Sequence, residues 1–476
     1  MALIAAAPAG WRLAEPKIWY REFDSIERLI HLNVHMNPNL TQWTLTICLK
    51  LPQKSNYSAE AVKAAWISTR AENPGIACTV VHEKGMQYQV PTEYELAKWA
   101  EATVNIQRSG SGRETAATTP MPVSSALYFF PEIREMAIHI RHELCDAVGL
   151  FFLANTLLKH LRTKSSGVYK IGEEVARLPP SAIRTIDNED LLSIEGIAKA
   201  HLTVDRYLDK KAISLGARTT EIHETIPLLP QGRIEYQFSE AESTTIVKVC
   251  RVKGISLTAA IWAAHAQAAL DYSESSVGDL ACSIPINVRR QPQEGAQIKE
   301  DYLSQAVMTA YTNRFVSKNA NFIDWAKSSQ KELDGWRCGK DSLQIFQYIC
   351  KLMRERITTS LTREAGYPTF VTISNIGISE DYITEPIEDV WLNAMISTPT
   401  IAMTALTTHG KLRLTILYNS AFNKRRKVED FLLMLVGHLR KGLGLEVSDG
   451  DKPSTMAENE ENILEGRVYS SIPCKL

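Results

Sequence analysis

Neither sign of charge is in excess in this sequence. Its 476 residues include 53 lysines and arginines against 54 aspartates and glutamates, a formal net charge of −1. The two signs are mixed along most of the chain, so the broad basic face that a nucleic acid requires is not expected. With 45% hydrophobic and 22% charged residues, the composition is that of a globular protein.

Long apolar runs and paired cysteines are also missing. No run approaches the roughly 20 apolar residues that a membrane-spanning helix needs, and the short apolar opening lacks the basic lead of a signal peptide. The eight cysteines lie far apart and none belongs to a CxxC pair. We therefore expect reduced, mostly buried thiols in an intracellular protein.

Hydrophobic periodicity predicts an α/β fold with two halves of similar size, each a mixed sheet with flanking helices. We assign residues 1–165 to an N-terminal subdomain, 166–233 to a crossover linker, 234–448 to a C-terminal subdomain and 449–476 to a mobile acidic tail. The periodic pattern weakens over the linker, which is rich in prolines and turn residues.

The stretch from 137 to 161, AIHIRHELCDAVGLFFLANTLLKHL, predicts a strand that leads into a helix. Alternation on the strand places His142 on the apolar face with Ile138 and Ile140. His142 is then either a base presented at a strand end or a polar residue that ends the strand, and Asp146 has an ordinary role available as helix N-cap. The spacing alone leaves both interpretations open.

A metal site at His139, His142 and Cys145 is disfavoured. The two histidines are three residues apart on a strand, so their side chains point to opposite faces and cannot converge on one ion.

The segment HELCDAVG, from His142 to Gly149, resembles the HxxxD motif of the CoA-dependent acyltransferase superfamily. This superfamily includes chloramphenicol acetyltransferase, plant BAHD acyltransferases and peptide-synthetase condensation domains. Five further segments resemble family motifs in the family's order: 61–76, 239–270, 284–292, 372–383 and 417–443. The resemblance covers most of the chain from about Trp11 to Leu445, and the most similar subgroup is the trichothecene type of fungal O-acetyltransferase in secondary metabolism.

The resemblance implies two chloramphenicol-acetyltransferase-like subdomains with an active-site tunnel where they meet. It implies His142 as general base, Gly149 and Asn287 in the active-site loops, and a structural ion pair of Asp146 with Arg289, or failing that with Arg290. Two further sets of residues are candidates for the site, although each could equally have an ordinary structural role. The candidate oxyanion donors are Ser374, Asn375 and Gly377, and the candidate contacts to the coenzyme A phosphates are Lys424, Arg425 and Arg426. The expected substrates are acetyl-CoA and a small alcohol, with no tightly bound cofactor and no metal, and the expected state is a monomer.

Two departures from family patterns bear on the alternatives. Arg141 stands where condensation domains carry a first histidine, and no Asp-Phe-Gly-Trp-Gly motif occurs, which excludes the plant subgroup. A condensation-type enzyme acting on carrier-bound thioesters and an inactive binding protein of the same fold stay open as alternatives. The terminal Cys474-Lys475-Leu476 resembles the Ser-Lys-Leu peroxisomal signal, so a peroxisomal or a cytoplasmic location is expected.

Overall fold

A computed structural model of the chain describes residues 10–35, 43–81, 85–163, 170–181, 192–208, 213, 231–289, 303–360, 371–396 and 400–445. The strands in these residues are β1 (Arg12–Glu15), β2 (Ile18–Glu22), β3 (Thr44–Lys50), β4 (Thr79–Val81), β5 (Gly85–Gln89), β6 (Val104–Ile106), β7 (Ser125–Phe130), β8 (Glu135–Arg141), β9 (Gln231–Gln237), β10 (Val277–Asn287), β11 (Val307–Ser317), β12 (Val371–Ile378), β13 (Asp389–Ala394), β14 (Ala402–Thr408) and β15 (Lys411–Asn419). The α-helices are α1 (Ser25–His35), α2 (Ala59–Glu72), α3 (Glu93–Thr103), α4 (Gly112–Thr118), α5 (Ala147–Thr163), α6 (Ile194–Tyr207), α7 (Glu240–Lys253), α8 (Leu257–Tyr272), α9 (Phe322–Cys338), α10 (Ser342–Ser360) and α11 (Arg425–Leu443). No helix in the described ranges is long and apolar enough to cross a bilayer.

Two mixed sheets dominate the fold. One has the strand order β13-β3-β8-β7-β6 and the other the order β11-β10-β12-β14-β15-β9. Each combines parallel and antiparallel neighbours, as in the parallel pair β6–β7 and the antiparallel pair β7–β8. The predicted class, α/β with mixed sheets in both halves, is confirmed, and a smaller antiparallel sheet of β1, β2, β5 and β4 adds to the first half.

Each half has its own hydrophobic core, but the two halves exchange elements. Strand β13 leaves the second half and pairs with β3 of the first, with Asp389 opposite Lys50 and Ala394 opposite Leu45. In the other direction, Ile26 and Ile30 of α1 pack into the core of the second half. The segment predicted as a linker also contains α6, whose buried Val204 belongs to that second core.

Local sequence signals fix the ends of several helices. The Ser58 and Ser239 side chains cap α2 and α7, and Gly254 ends α7 in the left-handed conformation. Helix α11 begins at Arg425, so its first turn lies within the basic run that follows Asn423. Arginine is a good helix former, and the Arg425 guanidinium donates to Glu429 one turn later at 2.8 Å, which supports this first turn.

Candidate active site

Strand β8 and its neighbour β3 fix the backbone of His142. The His142 N–H donates to the Trp43 carbonyl at 2.9 Å, which continues the antiparallel pairing one residue beyond β8. Three residues separate His142 from Asp146, after which α5 begins at Ala147. The His142 side chain is partly exposed, whereas Ile138 and Ile140 on the same face are fully buried. The strand therefore ends by presenting an imidazole at the edge of a core.

Hydrogen bonding selects one tautomer of His142. Its Nδ1 lies 3.1 Å from the Cys145 carbonyl oxygen, which can only accept, so Nδ1 carries the proton and Nε2 keeps its lone pair. The Trp43 ring packs against the imidazole at a centroid distance of 4.7 Å and an angle of 68°. Burial lowers the pKa of His142 from its ordinary value of 6.5, against the opposing effect of the nearby carbonyls and carboxylates. The ring is thus neutral at pH 7 and has a basic nitrogen available.

The Asp146 carboxylate caps α5 and pairs with Arg289. Its Oδ1 accepts the Gly149 N–H at 2.8 Å and its Oδ2 accepts the Ala306 N–H at 2.9 Å. Arg289 adds two parallel bonds, Nη1 to Oδ2 at 2.7 Å and Nη2 to Oδ1 at 2.8 Å. The buried Asp146 side chain therefore caps α5 and pairs with Arg289 at the same time. Because these donors occupy its oxygens, Asp146 fixes the loop and does not bond His142.

Gly149 lies in the first turn of α5 against this ion pair. A Cβ at this position would come 3.0 Å from Arg289 Nη2, 3.3 Å from Asp146 Oδ1 and 3.5 Å from Leu303 Cα. Close packing, and not backbone conformation, is the reason for glycine here.

Arg289 follows β10 and reaches across from the second half. The Asn287 Oδ1 accepts the Arg289 backbone N–H at 3.0 Å, which shapes the strand end, and Arg289 Nη2 also donates to the Ser304 carbonyl at 3.1 Å. The structure therefore brings together His142, Asp146, Gly149 and the Asn287–Arg289 turn. The alternative partner, Arg290, lies outside the described residues.

The segment before β11 completes this cluster, and sequence reasoning missed it. The Ser304 carbonyl accepts the Asp146 N–H at 3.2 Å, and the Ala306 carbonyl accepts the Val288 N–H at 3.0 Å. Between them, the fully buried Gln305 donates from its amide to the His142 carbonyl and lies 3.3 Å from His142 Nδ1. No pattern in the sequence marks these residues, because their partners His142 and Asp146 are more than 150 positions away.

Glu143, next to His142 in the chain, is a second residue near the site that the sequence reasoning missed. Its fully buried carboxylate accepts two bonds from Arg141, at 2.8 and 3.1 Å, and lies 3.2 Å from His31 Nδ1 on α1. Burial opposes ionisation, but the bonds from His31 and Arg141 outweigh it and lower the pKa of Glu143 to about 2. Arg141 is therefore a structural ion-pair residue, and the Glu143 carboxylate also joins it to His31 of α1. A charged residue inside an apolar motif is the signal that could have indicated Glu143.

The candidate oxyanion donors lie on β12. The Asn375 amide donates to Thr258 at 3.0 Å, and its Oδ1 accepts the Gly377 N–H at 3.1 Å across a break in the β12–β14 register. Gly377 has a φ of +101°, a conformation that favours glycine. Ser374 is partly exposed. No hydrogen bond among the described residues joins Ser374, Asn375 or Gly377 to His142, so their role stays a prediction.

The basic run lies at the start of α11. Lys424 is the N-cap residue and is exposed, as is Arg426, whereas Arg425 is half-buried and bonded to Glu429. The first turn of α11 has no acidic residue. Lysine and arginine side chains thus add to the positive end of the helix dipole instead of compensating it.

His139 is separated from His142, as strand alternation predicts. Its fully buried ring bonds Thr46 Oγ1 at 2.8 Å and the Pro120 carbonyl at 3.2 Å, and burial lowers its pKa to about 4. Within the ranges that the structure describes, no group of three or more His, Cys, Asp or Glu side chains could hold a metal ion.

Comparisons with known proteins agree with the predicted resemblance. No family model matches the chain. The O-acetyltransferase pigM of Monascus ruber is 23% identical over 98% of this chain and 94% of its own length, and the acetyltransferase pigO of the same organism is 22% identical over 75% and 80%.

Among solved structures, the trichothecene 15-O-acetyltransferase TRI3 of Fusarium sporotrichioides superposes with a TM-score of 0.74 at 17% identity, covering 92% of this chain and 99% of TRI3. The EpoB cyclization-docking bidomain of Sorangium cellulosum gives a TM-score of 0.61 at 12% identity, with coverages of 90% and 86%. The predicted acyltransferase assignment is confirmed: the chain is a relative of the fungal acetyltransferases of secondary metabolism and has the fold of TRI3.

Proposed function

We propose that the protein transfers an acyl group, acetyl in the first instance, from coenzyme A to a hydroxyl of a small secondary metabolite. The observation that carries this proposal is the neutral His142 ring, whose Nδ1–H is bound to the Cys145 carbonyl and whose Nε2 therefore keeps the lone pair that can accept a proton. The names of the relatives, which include an azaphilone cluster protein of Aspergillus terreus, support a fungal metabolite as acceptor.

In the proposed reaction, His142 Nε2 takes the hydroxyl proton as the oxygen attacks the thioester carbonyl. The tetrahedral intermediate then collapses with cleavage of the C–S bond, and the imidazolium returns the proton to the departing thiolate. General base help of this kind contributes typically about a hundred- to ten-thousandfold in rate. No acyl-enzyme is required, because the thioester already activates the carbonyl.

The remaining residues support this chemistry indirectly. The Asp146–Arg289 pair holds the loop that carries His142, and Ser374, Asn375 or the backbone at Gly377 would donate to the oxyanion. We propose that Lys424 and Arg426 contact the phosphates of coenzyme A, since both are exposed beside a helix N-terminus that favours anions. Arg425 contributes less directly, because its guanidinium is bonded to Glu429.

Incubation of the purified chain with acetyl-CoA and a panel of small alcohols tests the function. Release of free coenzyme A thiol that depends on the alcohol, with the ester identified by mass spectrometry, is the expected result. Transfer only from a carrier-protein thioester would favour the condensation-type alternative. Failure with both donors, at protein concentrations where acetyl-CoA binding is measurable, would indicate a binding protein.

A further inference from the structure

Gln305 contacts the histidine on which the proposed function depends, yet it comes from the opposite half of the chain. Its two neighbours are fixed by the ion pair: the Ser304 carbonyl accepts from Asp146 and Arg289, and the Ala306 N–H donates to Asp146. The backbone of Gln305 is therefore held by the same groups that hold the His142 loop.

The Gln305 amide has one sensible orientation. Its Nε2 donates to the backbone carbonyl of His142, and the reversed amide would place Oε1 against that carbonyl, so that two acceptors would face each other. In the observed orientation Oε1 is buried without a hydrogen-bond partner among the described residues. A buried acceptor without a partner costs free energy, so the benefit of a glutamine here lies on its donor side.

The contact of that donor with the imidazole has a chemical consequence. Gln305 Nε2 lies 3.3 Å from His142 Nδ1, but Nδ1 already carries the proton that it donates to Cys145. The amide N–H therefore presents its positive end to the ring, and because it is itself a donor it forms no hydrogen bond with the Nδ1–H group. This disfavours the imidazolium and also occupies the carbonyl of His142, which would otherwise compete for the Nδ1 proton.

We propose that Gln305 is a positioning residue, which fixes the backbone of His142 through its carbonyl and, by placing an amide N–H beside Nδ1, favours the neutral imidazole over the imidazolium. This inference rests on the proposed role of His142 as base. Gln305 acts through His142 and does not itself touch the substrates in this assignment.

Two variants of Gln305 separate the donor from simple packing. Gln305→Met keeps the length of the side chain and removes the N–H; we expect kcat to fall about ten- to a hundredfold, with the KM for acetyl-CoA within about twofold. Gln305→Glu places a carboxylate beside Nδ1, which stabilises the imidazolium. The acid limb of its kcat/KM profile should move to higher pH by about one unit or more, so that part of the lost rate returns at alkaline pH.

Gln347 on α10 provides the matched control, because it is also buried with an Oε1 that has no partner among the described residues. Gln347→Met should leave kcat and the pH profile unchanged. If Gln305→Met likewise keeps the wild-type kcat and profile, the proposal is overturned.

Titration of the His142 ring by NMR tests the contact independently of turnover. The ring signal is assigned by its loss in His142→Gln, and its pKa should rise in Gln305→Met and rise further in Gln305→Glu. An unchanged His142 titration in folded Gln305 variants would refute the positioning role. If the titration shifts as expected while no donor supports acyl transfer, the positioning role stands and the proposed function fails.

Discussion

Asp146 and Arg289 lie 143 residues apart in the sequence and form two parallel bonds of 2.7 and 2.8 Å, with each side chain almost completely buried. The pair joins the loop that carries His142 to the strand end of β10 in the other half. The pair has a structural role and influences catalysis only indirectly, because neither side chain bonds the imidazole.

Removal of one partner should therefore damage folding. Arg289→Met leaves a buried carboxylate without its cation, and the expected loss in the free energy of unfolding is about 3–5 kcal/mol, measured by urea denaturation. The double variant Asp146→Ala with Arg289→Met leaves no unpaired charge and should recover a good part of that loss. A double variant as unstable as the sum of the single ones would contradict this account.

His142→Gln should show the opposite behaviour. The substitution removes the base but keeps a polar side chain at a partly exposed position, so we expect kcat to fall about a hundred- to ten-thousandfold with little change in the unfolding midpoint. His438→Gln is the control, since that histidine bonds Asp271 at 2.7 Å on another helix. Near-normal acetyl transfer by His142→Gln would remove the basis of the proposed mechanism.

Two helical glycines give a matched test of packing at the ion pair. Gly437 on α11 is exposed, and an alanine Cβ at this position would meet nothing within 4 Å, so Gly437→Ala should stabilise the protein by about 1 kcal/mol through helix propensity. Gly149→Ala gains the same propensity but pushes on Arg289 Nη2 at 3.0 Å. We expect no stabilisation from Gly149→Ala in thermal unfolding, and a lower kcat; equal stabilisation of both variants would refute the packing argument.

His265 should make the protein sensitive to acid. Burial lowers its pKa to about 3, and neither ring nitrogen has a hydrogen-bond partner among the described residues. Between pH 6.5 and 3 the unfolded chain binds a proton at this histidine that the folded chain does not, so the free energy of unfolding falls as the pH falls. His265→Leu should flatten that dependence. A variant with the same pH slope as the wild type would show that other groups control acid stability.

The proposed contacts of Lys424 and Arg426 with coenzyme A can be tested by kinetics with different acyl donors. Lys424→Ala and Arg426→Ala should each raise the KM for acetyl-CoA several-fold and weaken its dependence on salt, because screened phosphate contacts would be lost. Neither change should alter KM for a short acetyl thioester without phosphates. Lys248→Ala, at an exposed lysine on α7, is the control. An unchanged KM for acetyl-CoA in both variants would show that Lys424 and Arg426 do not bind coenzyme A.

Most of the secondary structure could be predicted because its causes are local. The cap at Ser239, the stop at Gly254 and the hairpin turn at His409–Gly410 depend on residues only a few positions apart. The strand alternation that separates His139 from His142 has the same origin. The start of α11 at Arg425 is less certain from sequence, because the stabilising Arg425–Glu429 pair lies in a charged run that is equally typical of a loop.

The sequence by itself determined the α/β class, the resemblance to acyltransferases and the positions of His142 and Asp146, since these depend on short motifs and hydrophobic periodicity. Only the tertiary structure decided that β13 pairs with β3, that Glu143 bonds His31 and that Gln305 reaches the His142 carbonyl. Such contacts join residues more than 100 positions apart and arise from how two cores pack together, for which no local pattern of side chains is sufficient.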